Sequence, residues 1–178
     1  MNFDIGQFAS KETELKVEMG VMWDVRIDSQ ITTNQIADIM GMSSGEVSRL
    51  ESARMTLTPE LVQSYTEAVK SLVTTPTQEE IKAFSEEMAS EFNLQQVALF
   101  GSFAKNKQTY SSDIDFMIYG HNSSKVPYHD IANIMQLGNK RLKRSIHITD
   151  YFLIQQNLDD PRTFRFHARY QLERKNMI

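Results

Sequence analysis

The chain has 178 residues, carrying 19 Lys and Arg against 23 Asp and Glu for a formal net charge of −4, and no cysteine. That length suits one domain or two small ones, and the lack of cysteine excludes disulfides and thiolate metal sites and gives no support to secretion. There is no apolar run long enough to span a membrane, and the opening MNFDIGQFASKETELK lacks the basic-then-apolar pattern of a signal peptide, so a cytoplasmic protein is expected.

Charge divides unevenly. Residues 1–75 hold 6 Lys/Arg and 11 Asp/Glu, whereas residues 76–178 hold 13 and 12. The seam falls at Thr74-Thr75-Pro76-Thr77. Pro76 disfavours helix at Thr75, and Thr77 with Glu80 makes a capping box that opens a new helix. Two domains are therefore predicted, 1–75 and 76–178.

The first domain reads as all-α. Ile36, Ile39 and Met40 share a helical face, and Gly41 can take the left-handed conformation that ends a helix. Ser43 or Ser44 then caps a second helix with Val47 and Leu50 inward. Thr58-Pro59 starts a third, with Pro at the first helical position and Leu61, Val62, Tyr65 and Val69 inward. Helix, tight Gly turn, helix is the helix-turn-helix arrangement. At Thr32, Ile36-Ala37, Gly41, Ser43, Val47-Ser48, Leu50-Glu51 and the Leu61 to Leu72 helix, the chain resembles DNA-binding domains of the Cro/repressor type. The resemblance implies that Ser44, Glu46 and Arg49 point toward promoter DNA, with Arg49 the partner for guanine or phosphate. The domain is net acidic, however, and phosphate contacts supply most nucleic-acid affinity. A structural or protein-binding helical domain is thus the alternative, although a homodimer could still combine two weak half-sites.

In the second domain a helix is expected over Thr77 to Phe92, with Ile81, Phe84, Met88 and Phe92 inward. A strand over Gln96 to Phe100 runs into Gly101-Ser102, and after ten residues comes Asp113-Ile114-Asp115 at the head of another strand. Residues two apart on a strand share a face, so Asp113 and Asp115 project together, roughly 7 Å apart, while Ile114, Phe116 and Ile118 line the other side. Two such carboxylates repel unless a divalent cation sits between them. Mg²⁺, which takes one or two carboxylates plus substrate phosphates, fits. Gly lets the backbone approach phosphate, and Ser adds a hydroxyl donor. A helix over Val126 to Leu142, a strand over Ser145 to Leu153, and a helix from Asp160-Pro161 through Phe164, Ala168 and Leu172 complete the chain. That order predicts a small mixed sheet in an α/β (α+β) domain, with helices on one face and the metal site on the other. Lys140, Arg141, Lys143 and Arg144 read as a solvated helix end, with a docking surface for an acidic partner or RNA as the alternative, and His121, His129 and His167 have no metal-ligand spacing.

At Gly-Ser, ten residues and Asp-x-Asp, the chain resembles the nucleotidyltransferase superfamily that includes DNA polymerase β. It is most similar to the minimal nucleotidyltransferases that serve as antitoxins in toxin–antitoxin pairs, over roughly Thr77 to Ile178. The resemblance implies that Gly101, Ser102 and Lys105 bind the triphosphate of ATP. It also implies that Asp113 and Asp115 hold Mg²⁺, and that AMP passes to a tyrosine hydroxyl on a partner toxin of the HEPN class. The family normally adds a third carboxylate on the later strand, where alternation turns His147 and Thr149 toward the metal side. His147 therefore stands in the expected catalytic place, and Asp150 becomes the third ligand only if the strand ends or bulges. Phe103 and Lys105 stand where the family often has Arg, and Asn106 where Gly is common. Two other readings stay open: a catalytically degenerate fold serving as a DNA-binding regulator or partner-binding module, and a small-molecule nucleotidyltransferase.

Overall fold

A computed structural model describes residues 10–177. The leader segment on which the signal-peptide reading rests lies mostly outside the described residues. The chain divides into two compact units, Met1–Thr74 and Thr75–Ile178. Among the described residues no helix is long and apolar enough to cross a membrane.

Among the described residues the first unit holds four helices: α1 (Lys11–Asp28), α2 (Thr33–Met40), α3 (Ser44–Glu51) and α4 (Pro59–Leu72). Each of the last three opens on a Ser or Thr whose hydroxyl accepts the N–H three residues on, satisfying a donor the helix leaves unpaired. Gly41 ends α2 at φ +65°, a conformation that costs an L side chain but not glycine. Ile36, Ala37, Val47, Leu50, Val62, Tyr65 and Val69 are buried together. Two departures from the sequence reading stand out. Ile39, expected to share a helical face with Ile36, is exposed, because the buried face of α2 is centred on Ile36 and Ala37. Helix α1 is not among the three segments read from the sequence. Its buried Met19, Met22 and Val25 are matched by exposed Val17, Val21, Trp23 and Ile27, so apolar residues circle the helix and no period shows.

The second unit opens with α5 (Gln78–Glu91), capped by Thr77 and Glu80, then β1 (Leu94–Phe100), the single-turn α6 (Gly101–Ala104) and β2 (Ile114–Gly120). After them come α7 (Tyr128–Leu142), β3 (Ile146–Asp150), α8 (Tyr151–Gln156), α9 (Pro161–Glu173) and the short β4 (Lys175–Asn176). The sheet is mixed, in the order β3-β2-β1-β4, with β2 antiparallel to β1 and parallel to β3. Ile114, Phe116 and Ile118 pack with Ile81, Phe84 and Met88 of α5 and Ile134 and Leu142 of α7.

The opposite face is not bare. Ala98, Phe100 and Met117 are covered by Tyr170 and Phe166 of α9 and Tyr151 of α8. This corrects the expectation of helices on one face only, and its cause is the face that α9 presents. Phe164 and Leu172, two of the residues through which the helix was expected to run, are 60% and 90% exposed. Phe166 and Tyr170 instead meet Phe100 edge-on at 5.7 and 5.5 Å, and the Tyr170 hydroxyl lies 2.6 Å from that of Tyr119. Two rings and a satisfied hydroxyl outweigh one ring and a leucine.

Two further expectations are revised. The strand after α7 stops at Asp150 rather than running to Leu153, because the Asp150 carboxylate accepts the Phe152 N–H at 3.0 Å and starts α8. Arg144, placed in a solvated cluster, is 2% exposed. Lys143 closes α7 at φ 52°, and Arg144 beyond it donates to the Tyr110 carbonyl and reaches Thr75 Oγ1 at 3.5 Å.

Candidate active site

Strand β1 delivers the chain to Gly101, which turns into α6 at φ +70°. Phe100 stands opposite Asp115 in the β1–β2 ladder, so Gly101 comes up against the Asp115 side chain. A Cβ at position 101 would overlap the Asp115 carboxylate. Glycine is therefore favoured twice, by backbone conformation and by proximity to an acid. Gly101→Ala is expected to cost about 1–2 kcal/mol in backbone strain. It should also push Asp115 aside, and a thermal melt reads the combined cost. A parent-like melting temperature would mean that the turn and the Asp115 side chain absorb the added methyl group.

Ser102 follows in the first turn of α6, half-buried, and no side chain caps that turn. Phe103 is fully buried in the core under the sheet. Lys105 ends the turn with its Nζ 3.1 Å from Glu173 Oε1 of α9. Asn106 takes φ 53°, in the left-handed region that Asn tolerates.

Asp113 immediately precedes β2, and Asp115 is its second residue. His147 lies beside Asp115 in the parallel β2–β3 register. Its Nε2 is 3.5 Å from Asp113 Oδ2 and its Nδ1 is 3.5 Å from Asp115 Oδ1, so one imidazole bridges the carboxylate pair. Burial pushes the Asp115 carboxyl above its ordinary range; His147 opposes the shift and the charge on Asp113 adds to it. An acid that ionises reluctantly beside a second acid is a place that favours a cation. Among the described residues no three His, Asp or Glu side chains form a complete metal cage. Two partly exposed carboxylates fit Mg²⁺ all the same, since that ion completes its shell with phosphate oxygens and water.

Asp150 is placed apart from this group. It is 2% exposed, and its two oxygens accept the N–H groups of Val126 (2.9 Å) and Phe152. Sequence reasoning did not single out Arg169 and Glu173. Both border a cleft of about 170 Å³ with Gly101, Asp115, Phe100, Phe166 and Tyr170. The available signal was the spacing of Phe166 and Tyr170, which turns Arg169 and Glu173 to the edge of the same face.

In the first unit, Ser44 and Arg49 are exposed on α3. Glu46 turns its carboxylate back on Ser43, accepting from the N–H at 2.9 Å and the hydroxyl at 2.7 Å. Those bonds hold the Glu46 carboxyl below its ordinary range.

Among curated proteins none was found to match the chain. Among solved structures, a chain described as "Crystal structure of the toxin-antitoxin with AMP-PNP" is similar at 15% identity and a TM-score of 0.44. The match covers 55% of this chain and 72% of that one, a likeness too distant to carry an argument. The profile of the family described as "Polymerase beta, Nucleotidyltransferase" matches residues 79–170, more than half of the sequence and the whole of the Gly101 to His147 site. The chain belongs to the polymerase beta nucleotidyltransferase family.

Proposed function

We propose that the protein is a Mg²⁺-dependent nucleotidyltransferase that moves AMP from ATP to a tyrosine hydroxyl of a HEPN-type toxin and so acts as its antitoxin. The observation that carries this reading is the packing of Gly101 against Asp115, which brings the Gly101-Ser102 turn beside the Asp113–Asp115 pair. Proteins of this fold generally use a divalent metal and a nucleoside triphosphate. Gly101 and Ser102 would seat the triphosphate, and Asp113 and Asp115 would hold the metal. Bound there, the metal would supply charge stabilisation at the reacting phosphate. The acceptor oxygen bonds to the α-phosphorus as the bond to the β-phosphate oxygen breaks. Pyrophosphate leaves, and His147 takes the hydroxyl proton.

The test is transfer of label from α-³²P-ATP to the protein encoded beside this one, purified as the complex. Label on that partner, dependent on Mg²⁺ and released by nothing short of phosphodiester cleavage, supports the reading. An unlabelled partner under all conditions sinks it. A second reading, a degenerate site that only binds its partner, is favoured by the imidazole lying across both carboxylates. His147→Asp separates the two, because it restores the carboxylate the family usually has. Transfer should rise several-fold, or appear where the parent has none. If His147→Asp abolishes transfer, the imidazole itself is the working group.

We infer further that the first unit is a helix-turn-helix domain that represses its own promoter. Exposed Arg49 on α3 supports this, whereas Glu46 is engaged with Ser43 rather than offered to a base. Arg49→Ala should weaken promoter binding by about 1–3 kcal/mol if the guanidinium pairs with guanine. Binding should also be steeply salt-dependent. A mobility-shift series without a complex even at low salt would leave the unit as a protein-binding domain.

A further inference from the structure

A nucleoside triphosphate brings about four negative charges into a site that already holds Asp113 and Asp115, so side-chain cations are needed beyond any metal. The turn itself is poor in them. Phe103 is buried in the core, leaving Lys105 as the only cation between Gly101 and Asn106. A second cation arrives from α9. Arg169 borders the same cleft as Gly101 and Asp115, and its Nε lies 2.9 Å from Glu173 Oε1. Lys105 Nζ reaches that same oxygen at 3.1 Å from a different element.

Alone, Arg169–Glu173 would be an ordinary pair one helical turn apart, worth little at a surface. Convergence of Lys105 on the same oxygen of a residue that lines the cleft makes it something more. The Arg169 side chain is 71% exposed while that of Glu173 is 19% exposed, so the guanidinium can re-aim cheaply around a fixed carboxylate. Arg169 first, and Lys105 after it, hold the Glu173 carboxyl below its ordinary range.

We propose that Arg169 and Lys105 are the phosphate clamp of this site. Glu173 is an anionic placeholder that keeps both cations at the cleft until the triphosphate displaces it. Arg169 thus supplies from α9 the charge that Phe103 does not supply from the turn. The inference rests on the nucleotidyltransferase reading for its ligand but not for its cations, which allows the two to be tested apart.

Calorimetry on the full chain would use three probes: ATP and AMP with Mg²⁺, and inorganic tripolyphosphate in EDTA. Arg169→Ala should raise Kd for ATP and for tripolyphosphate about tenfold, the size of one charge-assisted hydrogen bond. It should leave AMP within about twofold. Glu173→Gln should tighten tripolyphosphate several-fold, because the cations lose their competitor; a merely structural Glu173 would not do so. Asp113→Asn with Asp115→Asn should lose ATP yet keep tripolyphosphate in EDTA. The clamp is overturned if Arg169→Ala binds ATP as the parent does, if it loses AMP and ATP equally, or if Glu173→Gln weakens tripolyphosphate. Parent protein that binds tripolyphosphate through Arg169 but no ATP would leave the clamp standing and remove the nucleotide reading. Parent protein that binds neither removes both.

Discussion

Replacing Asp113 and Asp115 together by Asn is expected to abolish Mg²⁺-dependent ATP binding, a loss of at least about a hundredfold in Kd. The folded chain should melt no lower than the parent. The first effect follows because Asn keeps the shape of the side chains and removes both charges that would hold the cation. The second follows from the environment of Asp115. Burial raises its folded-state pKa above the unfolded value, with His147 opposing and Asp113 adding. A carboxyl raised in this way favours the folded state most below its unfolded pKa, and that advantage is lost as pH rises through the folded pKa. Above its folded-state pKa the ionised Asp115 is therefore a cost to the folded protein, and Asn removes it. The variant's margin in melting temperature over the parent should shrink as pH falls toward about 4, where carboxyls protonate. Calorimetric titration with ATP, beside melts at pH 7 and pH 4, reads both effects. Parent-like ATP affinity in the folded variant would rule out this pair as the metal ligands. A lower melt at pH 7 with a normal one at pH 4 would mean that His147 outweighs burial.

The second large effect lies in the first unit. Arg26 of α1 and Glu51 of α3 form an ion pair with both side chains 8% exposed, Nε to Oε1 at 2.7 Å. Arg26 Nη2 donates to Glu51 Oε2 at 2.9 Å, its Nη1 donates to the Ile31 carbonyl, and the Tyr65 hydroxyl of α4 donates to Glu51 Oε1 at 2.7 Å. One carboxylate thus ties three helices together. Glu51→Ala leaves the guanidinium buried without its counter-charge, and should cost about 3–5 kcal/mol. Tyr65→Phe, which removes a single hydroxyl, should cost only about 1–2 kcal/mol. Urea unfolding followed by the fluorescence of Trp23, the single tryptophan, reports on this unit. A cost for Glu51→Ala no larger than that for Tyr65→Phe would show that Arg26 finds water or another acceptor. Replacing Arg26 and Glu51 together by Met and Leu should recover most of the loss, since a buried pair is seldom better than well-packed apolar side chains.

Local chemistry was readable from the chain alone wherever the cause lies within a few residues. Thr77 with Glu80, Ser43 with Glu46, Thr58 before Pro59 and Gly41 each act on the backbone beside them, and each does so in the structure. The Gly101-Ser102 and Asp113-Ile114-Asp115 spacing carried the family, and strand alternation alone turns His147 to the side of Asp115. What lay beyond the sequence were choices among surfaces. Helix α9 has two candidate faces, and only the fit of Phe166 and Tyr170 against Phe100 and Tyr119 selects one, which is why Arg169 and Glu173 reach the cleft. Glu51 looks like any polar residue late in a helix until Arg26 and Tyr65 converge on it from two other helices. Arg144 reads as solvated until the left-handed Lys143 turns it inward, and α1, with apolar residues all around it, has no period to detect. Capping and alternation are set by covalent neighbours, whereas the partner of a helix face is set by packing against residues distant in the chain. Only the tertiary structure decides that.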